Sequence, residues 1–171
     1  AHIATHGFFA AAGGDDGVVA PGSEAALRTS PLLRTGLVLA GAASDTPRPG
    51  GDDGLLTAEE ILGLDLTGLE LVVLSACETG LGAVEDGEGV MGMRRAFSLA
   101  GAGTLVLSLW KVPDEPTRAL MTALYGRLTA GDDPATALTT AQRALVAAAR
   151  DQGVTAHPRD WAAFVASGPL R

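Results

Sequence analysis

A single cysteine, Cys77, stands in a chain of 171 residues. That excludes an internal disulfide and any multi-cysteine zinc site. A free thiol also suits a reducing compartment, so a cytoplasmic location is expected. Aromatic residues are scarce, with two Trp, one Tyr and four Phe, so the core must be built from Leu, Val and Ala. Cations are outnumbered: 12 Lys and Arg face 20 Asp and Glu, for a formal net charge of −8. Phosphate binding needs clustered Lys and Arg, so direct nucleic-acid binding through a basic surface is disfavoured. An acidic surface favours encounter with basic partners or peptides, and it also keeps an Ala-rich domain soluble. No uncharged apolar run reaches the roughly 18 residues of a membrane span. The three histidines, His2, His6 and His157, show no paired spacing, so neither a metal site nor a cofactor is expected. The pairs Asp15-Asp16 and Asp52-Asp53 are too generic for calcium, which needs roughly 6–8 oxygen ligands held together.

What is present is an alternation of strands and helices in one domain's length. The first seven residues already read as strand and no initiator Met precedes them, so further structure is expected before Ala1. Residues 10–22 and 42–54 are Gly-, Pro- and Asp-rich loops, and residues 36–41 form a short apolar strand. Thr57 followed by Glu60 makes a capping box that opens a helix. Residues 69–76 and 103–110 are apolar runs that read as strands buried on both faces of a parallel sheet. A helix over 90–100 ends at Gly101. Another runs from Asp114 to Thr129, with Pro116 in its first turn. A third follows Asp132 or Asp133 and runs to Arg150. Residues 161–166 are expected to form the last strand. The fold class is α/β, with a mostly parallel sheet flanked by helices.

Two strands end in residues with chemistry. The run 69–76 leads into Cys77 and then into Gly80 and Gly82, which permit a sharp turn. The first strand ends in His6 and Gly7. Ligand sites in open α/β sheets form beyond the carboxyl ends of strands. A Cys and a His at neighbouring strand ends are the minimum equipment of a thiol nucleophile and its base. The alternative for Cys77 is that of a small buried hydrophobe. His2 shares a strand face with His6 and reads as structural. Glu78, Glu85, Asp86 and Glu88 read as a solvated loop. Asp114 suits a helix N-terminus. Trp110, at the end of its strand, either packs in the core or walls a pocket.

Several segments, in order, resemble one family: Ala4-Thr-His-Gly-Phe-Phe9, Gly36-Leu-Val-Leu-Ala40, Leu55-Leu-Thr-Ala-Glu-Glu60, Leu74-Ser-Ala-Cys-Glu-Thr-Gly-Leu-Gly82 and Ser108-Leu-Trp110. Gly87-Glu-Gly-Val90 and the closing His157-Pro158 with Trp161-Ala-Ala-Phe164 fit the same pattern. The chain is similar to the CHAT domain, a caspase-like peptidase domain often found with tetratricopeptide repeats, over nearly all of residues 1–171.

The resemblance implies the C-terminal larger part of a caspase-like domain, without the strands that normally precede the His strand. It implies a cysteine endopeptidase with His6 as general acid/base and Cys77 as nucleophile. The backbone N–H groups of Gly7 and Cys77 would form the oxyanion hole. The resemblance also implies protein or peptide substrates and an activity regulated by a repeat domain or partner protein. Among relatives an acidic pocket goes with cleavage after Arg or Lys. Asp114 is the leading pocket anion here, with Glu78, Trp110 and Ser108 beside it. Two alternatives stand against the peptidase: a catalytically silent interaction module of the same fold, and a thioesterase-like acyl transferase.

Overall fold

The computed structural model describes residues 1–9, 30, 32–42, 53–76 and 88–168. Their elements run β1 (His2–Phe9), β2 (Thr35–Val38), β3 (Leu55–Thr57), α1 (Ala58–Leu62), β4 (Leu71–Ala76), α2 (Glu88–Leu99), β5 (Thr104–Ser108), α3 (Asp114–Thr129), α4 (Pro134–Asp151), α5 (Pro158–Trp161) and β6 (Phe164–Ser167). The six strands form one sheet in the order β3-β2-β1-β4-β5-β6. The α/β class therefore holds. Parallel pairing is confined to the three central strands, β1 with β4 and β4 with β5. β2, β3 and β6 join antiparallel, so the sheet is mixed. Buried apolar runs mark a strand as central without fixing the direction of its edge neighbours.

Alternation along the central strands sends side chains to two helical layers. Val72, Leu74, Leu105 and Leu107 pack with Met93, Ala96 and Phe97 of α2 and Ala58 and Ile61 of α1. Val73 and Val106 face the other way, onto Leu120 and Leu124 of α3 and Ala137, Leu138 and Ala141 of α4. With only Phe97 and Phe164 as buried aromatics, aliphatic burial carries the core among the described residues.

Local signals explain most element boundaries. The Thr57 hydroxyl accepts from the Glu60 N–H at 3.2 Å, and the Glu60 carboxylate accepts from the Thr57 N–H at 2.8 Å. That reciprocal box opens α1 as the sequence indicates. Asp133 caps α4 by accepting from the N–H groups of Ala135 and Thr136. α2 ends before Gly101, whose φ of 98° favours a residue without a Cβ. At Gly36 the reason for glycine is space. A Cβ there would stand 2.7 Å from the Phe8 ring and 2.6 Å from the Leu56 carbonyl oxygen.

The reading of the last strand changes. Residues 161–166 do not form one strand. Pro158–Trp161 is a helical turn and the strand starts at Phe164. His157 causes this: its Nδ1 accepts from the Arg159 N–H at 3.1 Å, and Pro158 occupies the first helical position. β3, only three residues long, carries no sequence signal of its own and exists through its pairing with β2.

Candidate functional site

The carboxyl ends of the parallel strands lie side by side, and the register fixes their levels. On β1 and β4, His2 is opposite Val73, Ala4 opposite Ser75 and Thr5 opposite Ala76. On β4 and β5, Val73 is opposite Val106 and Leu74 opposite Leu107. One further step along this register brings Ser75 level with Ser108. Ala4, Ser75 and Ser108 thus form a row of small residues on the α3 side of the sheet. His6 and Trp110 lie one row further out.

His6 is exposed on β1 and pairs with Val38 of the antiparallel β2. Its neighbour Gly7 is buried and pairs with Leu37. The Thr5 hydroxyl donates to the Val38 carbonyl, which ties β2 to β1 beside the histidine. β1 is thus held on one edge by β4 up to Thr5 and on the other by β2 from His6 onward. The sequence gives no hint of this hydroxyl clamp, because its acceptor lies 33 residues away.

β4 ends at Ala76. Cys77 and Glu78 lie outside the described residues. Ser108 is the last residue of β5, 3% exposed and opposite Phe164. Trp110 follows it and is 36% exposed. Its indole N–H donates to the Arg159 carbonyl at 3.1 Å, anchoring the ring to α5. Asp114 is the first residue of α3 and is exposed. The Pro113 before it supplies no side-chain cap, so the helix N-terminus carries a free acidic side chain instead. The structure thus places His6 on β1 and Ser108 at the end of β5, with β4 between the two strands, Trp110 two residues past Ser108 and Asp114 at the start of α3. The anchoring of Trp110 through α5 was not legible in advance, since Arg159 acts through its backbone.

His2 has a different role. Its ring stacks on Tyr125 of α3, with centroids 5.7 Å apart and planes at 29°. Its Nδ1 is 3.0 Å from the Tyr125 hydroxyl. Burial lowers the His2 pKa and raises that of Tyr125. The folded state therefore takes up a proton at His2 less readily than the unfolded chain. This contribution to stability is present above the ordinary histidine range and is lost as pH falls through it. The thermal midpoint is expected to drop between about pH 7 and pH 5. The His2→Phe protein, followed over the same range, is expected to lack that component.

Among the described residues no group of His, Cys, Asp and Glu could hold a metal ion, and no helix is long and apolar enough to cross a membrane.

Comparison with known proteins settles the family. The model of the CHAT domain matches residues 1–169. The chain belongs to the CHAT domain family. Tetratricopeptide repeat protein 28 of Homo sapiens is 33% identical over 114 residues, which is 67% of this chain and 4% of that protein. Tetratricopeptide repeat protein 28 of Mus musculus is 32% identical over 114 residues, again 67% of this chain and 4% of the relative. A CHAT domain thus occurs here in a sequence similar to a small part of much longer proteins named for tetratricopeptide repeats. The association read from the motifs agrees with those names.

Proposed function

We propose that this CHAT domain is a cysteine endopeptidase working through a His6–Cys77 dyad. The observation that carries the reading is the parallel register of Thr5 with Ala76. His6 and Cys77 are the residues that follow this pair, each by one peptide bond. With about 3.8 Å per peptide step and about 4.8 Å between strands, their Cα atoms stand no more than roughly 12 Å apart. Alternation along β1 puts His6 on the face that carries His2.

In the proposed reaction the Cys77 thiolate attacks the substrate carbonyl carbon, forming a C–S bond and a tetrahedral oxyanion. The backbone N–H groups of Gly7 and Cys77 donate to that oxyanion, a contribution of roughly 3–4 kcal/mol per donor in other enzymes. The C–N bond then breaks as the His6 imidazolium gives its proton to the leaving amine. His6 next takes a proton from water, whose oxygen attacks the thioester carbon; the C–S bond breaks, releasing the acid and restoring the thiolate beside the imidazolium. The exposure of His6 supports a base that substrate can reach.

Substrate preference follows from charge. Asp114, at the start of α3 in the segment that follows Ser108 and Trp110, and Glu78 after Cys77 favour a Lys or Arg side chain before the scissile bond. Lys111 is the one cation in the segment from Ser108 to Asp114. Asp114→Asn is expected to lower kcat/KM for such substrates by about tenfold or more while sparing cleavage after neutral residues. The check is paired fluorogenic peptides that differ only at that residue. An unchanged ratio removes Asp114 from the pocket. Regulation by an attached repeat domain or a partner protein fits the names of the long relatives; action on protein substrates in the cytoplasm belongs to the same proposal.

The test of the activity is a mixed peptide library incubated with the protein and its Cys77→Ala variant and read by mass spectrometry. Cuts that require Cys77 support the peptidase. No cuts from either protein, with a repeat-domain partner added, favour the silent interaction module. Hydrolysis of thioesters without peptide cleavage favours the acyl-transferase class.

A further inference from the structure

Away from the strand ends, a groove of about 460 Å³ runs along α4. Its lining is mostly apolar, with Val146, Ala147 and Trp161 beside Thr139, Gln142 and two arginines, Arg143 and Arg150. Gln142, also in the lining, is held by its amide donating to the Phe164 carbonyl at 2.9 Å. We propose that this groove docks an acidic amphipathic helix of a partner protein.

Charge identifies the occupant. The protein carries a net charge of −8, yet the 18 residues of α4 hold no acid before the last, Asp151. Arg143 therefore has no carboxylate one turn away in either direction along its own helix. Neither Arg143 nor Arg150 has an ion-pair partner among the described residues. Asp151 and Asp160, close to the groove in sequence, are not part of its walls. Two exposed guanidinium groups thus flank an apolar strip from which acids are absent.

Spacing favours a helix. Arg143 and Arg150 are seven positions apart, two turns, or about 10.5 Å along the axis. A partner helix lying alongside repeats the same rise. Carboxylates seven positions apart on it meet both guanidinium groups, which take carboxylates through paired N–H donors. Apolar residues three and four positions after the first carboxylate then face Val146, Ala147 and Trp161.

The test uses a fluorescein-labelled helical peptide with glutamates seven residues apart and leucines between them, read by fluorescence anisotropy. A second peptide carries lysines in place of the glutamates. The protein is expected to bind the acidic peptide and not the basic one. The double variant Arg143→Glu, Arg150→Glu is expected to lose at least about tenfold in affinity for the acidic peptide and to gain the basic one. Both positions are exposed, so the variant is expected to keep its thermal midpoint. Equal binding of the two peptides, no binding of the acidic one, or indifference to the double variant would overturn the proposal. Sedimentation velocity on the protein alone adds a second check. Concentration-dependent dimers abolished by the same double variant would make a second copy the occupant and overturn the partner helix.

Discussion

Cys77→Ala is expected to abolish peptide hydrolysis, lowering kcat/KM by about 10⁴-fold or more. No other side chain of the chain can replace it, because Cys77 is the single thiol. His6→Ala is expected to lower the rate by about 10²–10⁴-fold, the usual worth of a positioned acid/base. Both variants should keep the wild-type thermal midpoint. His6 is exposed, and the Cys change removes little volume. The pair acts as a unit, so the double variant should lose little beyond the Cys77 change alone. Full activity in the His6 variant would remove it from the mechanism. A collapse of stability in the Cys77 variant would make that residue part of the core.

The second large effect concerns stability. Leu124 is fully buried on α3, among Val73, Val106, Leu138 and Phe164. Leu124→Ala is expected to cost about 2–5 kcal/mol. The upper part of that range is favoured, because the facing surface of α4 is already small. Ala137 and Ala141 let the two helices approach closely, which leaves little room for collapse into the cavity. For a domain of this size the midpoint would fall by roughly 5–15 °C. Leu99, 65% exposed on α2, is the control, and Leu99→Ala should change stability by no more than about 0.5 kcal/mol. Similar losses in the two variants would show that the core does not rest on the α3–α4 layer.

Much of this architecture is legible from residues close in sequence. The Thr57–Glu60 box, a cap at Asp132 or Asp133 and the bounds of α3 at Asp114 and Thr129 depend on chemistry within a turn; the structure agrees and puts the cap at Asp133. What escapes depends on distant partners. β3 exists because Leu56 meets Leu37, and no three-residue window announces that. The antiparallel entry of β2 and β6 follows from where the chain returns, which hydrophobic runs do not encode. Trp161 reads as the start of a strand because an apolar run of that length fits either structure. His157 and Pro158 decide for a helical turn.

The site divides in the same way. That β1 and β4 are neighbours was legible from two apolar runs leading to His6 and Cys77, but β1 does not end at His6 and Gly7: pairing with β2 carries it on to Phe9. The register of Thr5 with Ala76 agrees with that reading as far as the described residues go. The Thr5 bond to Val38 and the Trp110 bond to Arg159 both end on backbone carbonyls. A carbonyl acceptor has no sequence signature, so the supports of the candidate site stay hidden while its proposed side chains are visible.

The most direct test of the dyad is the rate at which iodoacetamide alkylates Cys77, measured from pH 5 to 9 in the wild-type protein and in His6→Ala. If the imidazole and thiol form a pair, alkylation should stay fast well below the ordinary thiol range near pH 8.5 in the wild type and retreat to that range in the variant. Identical profiles in the two proteins would contradict the pairing of His6 with Cys77.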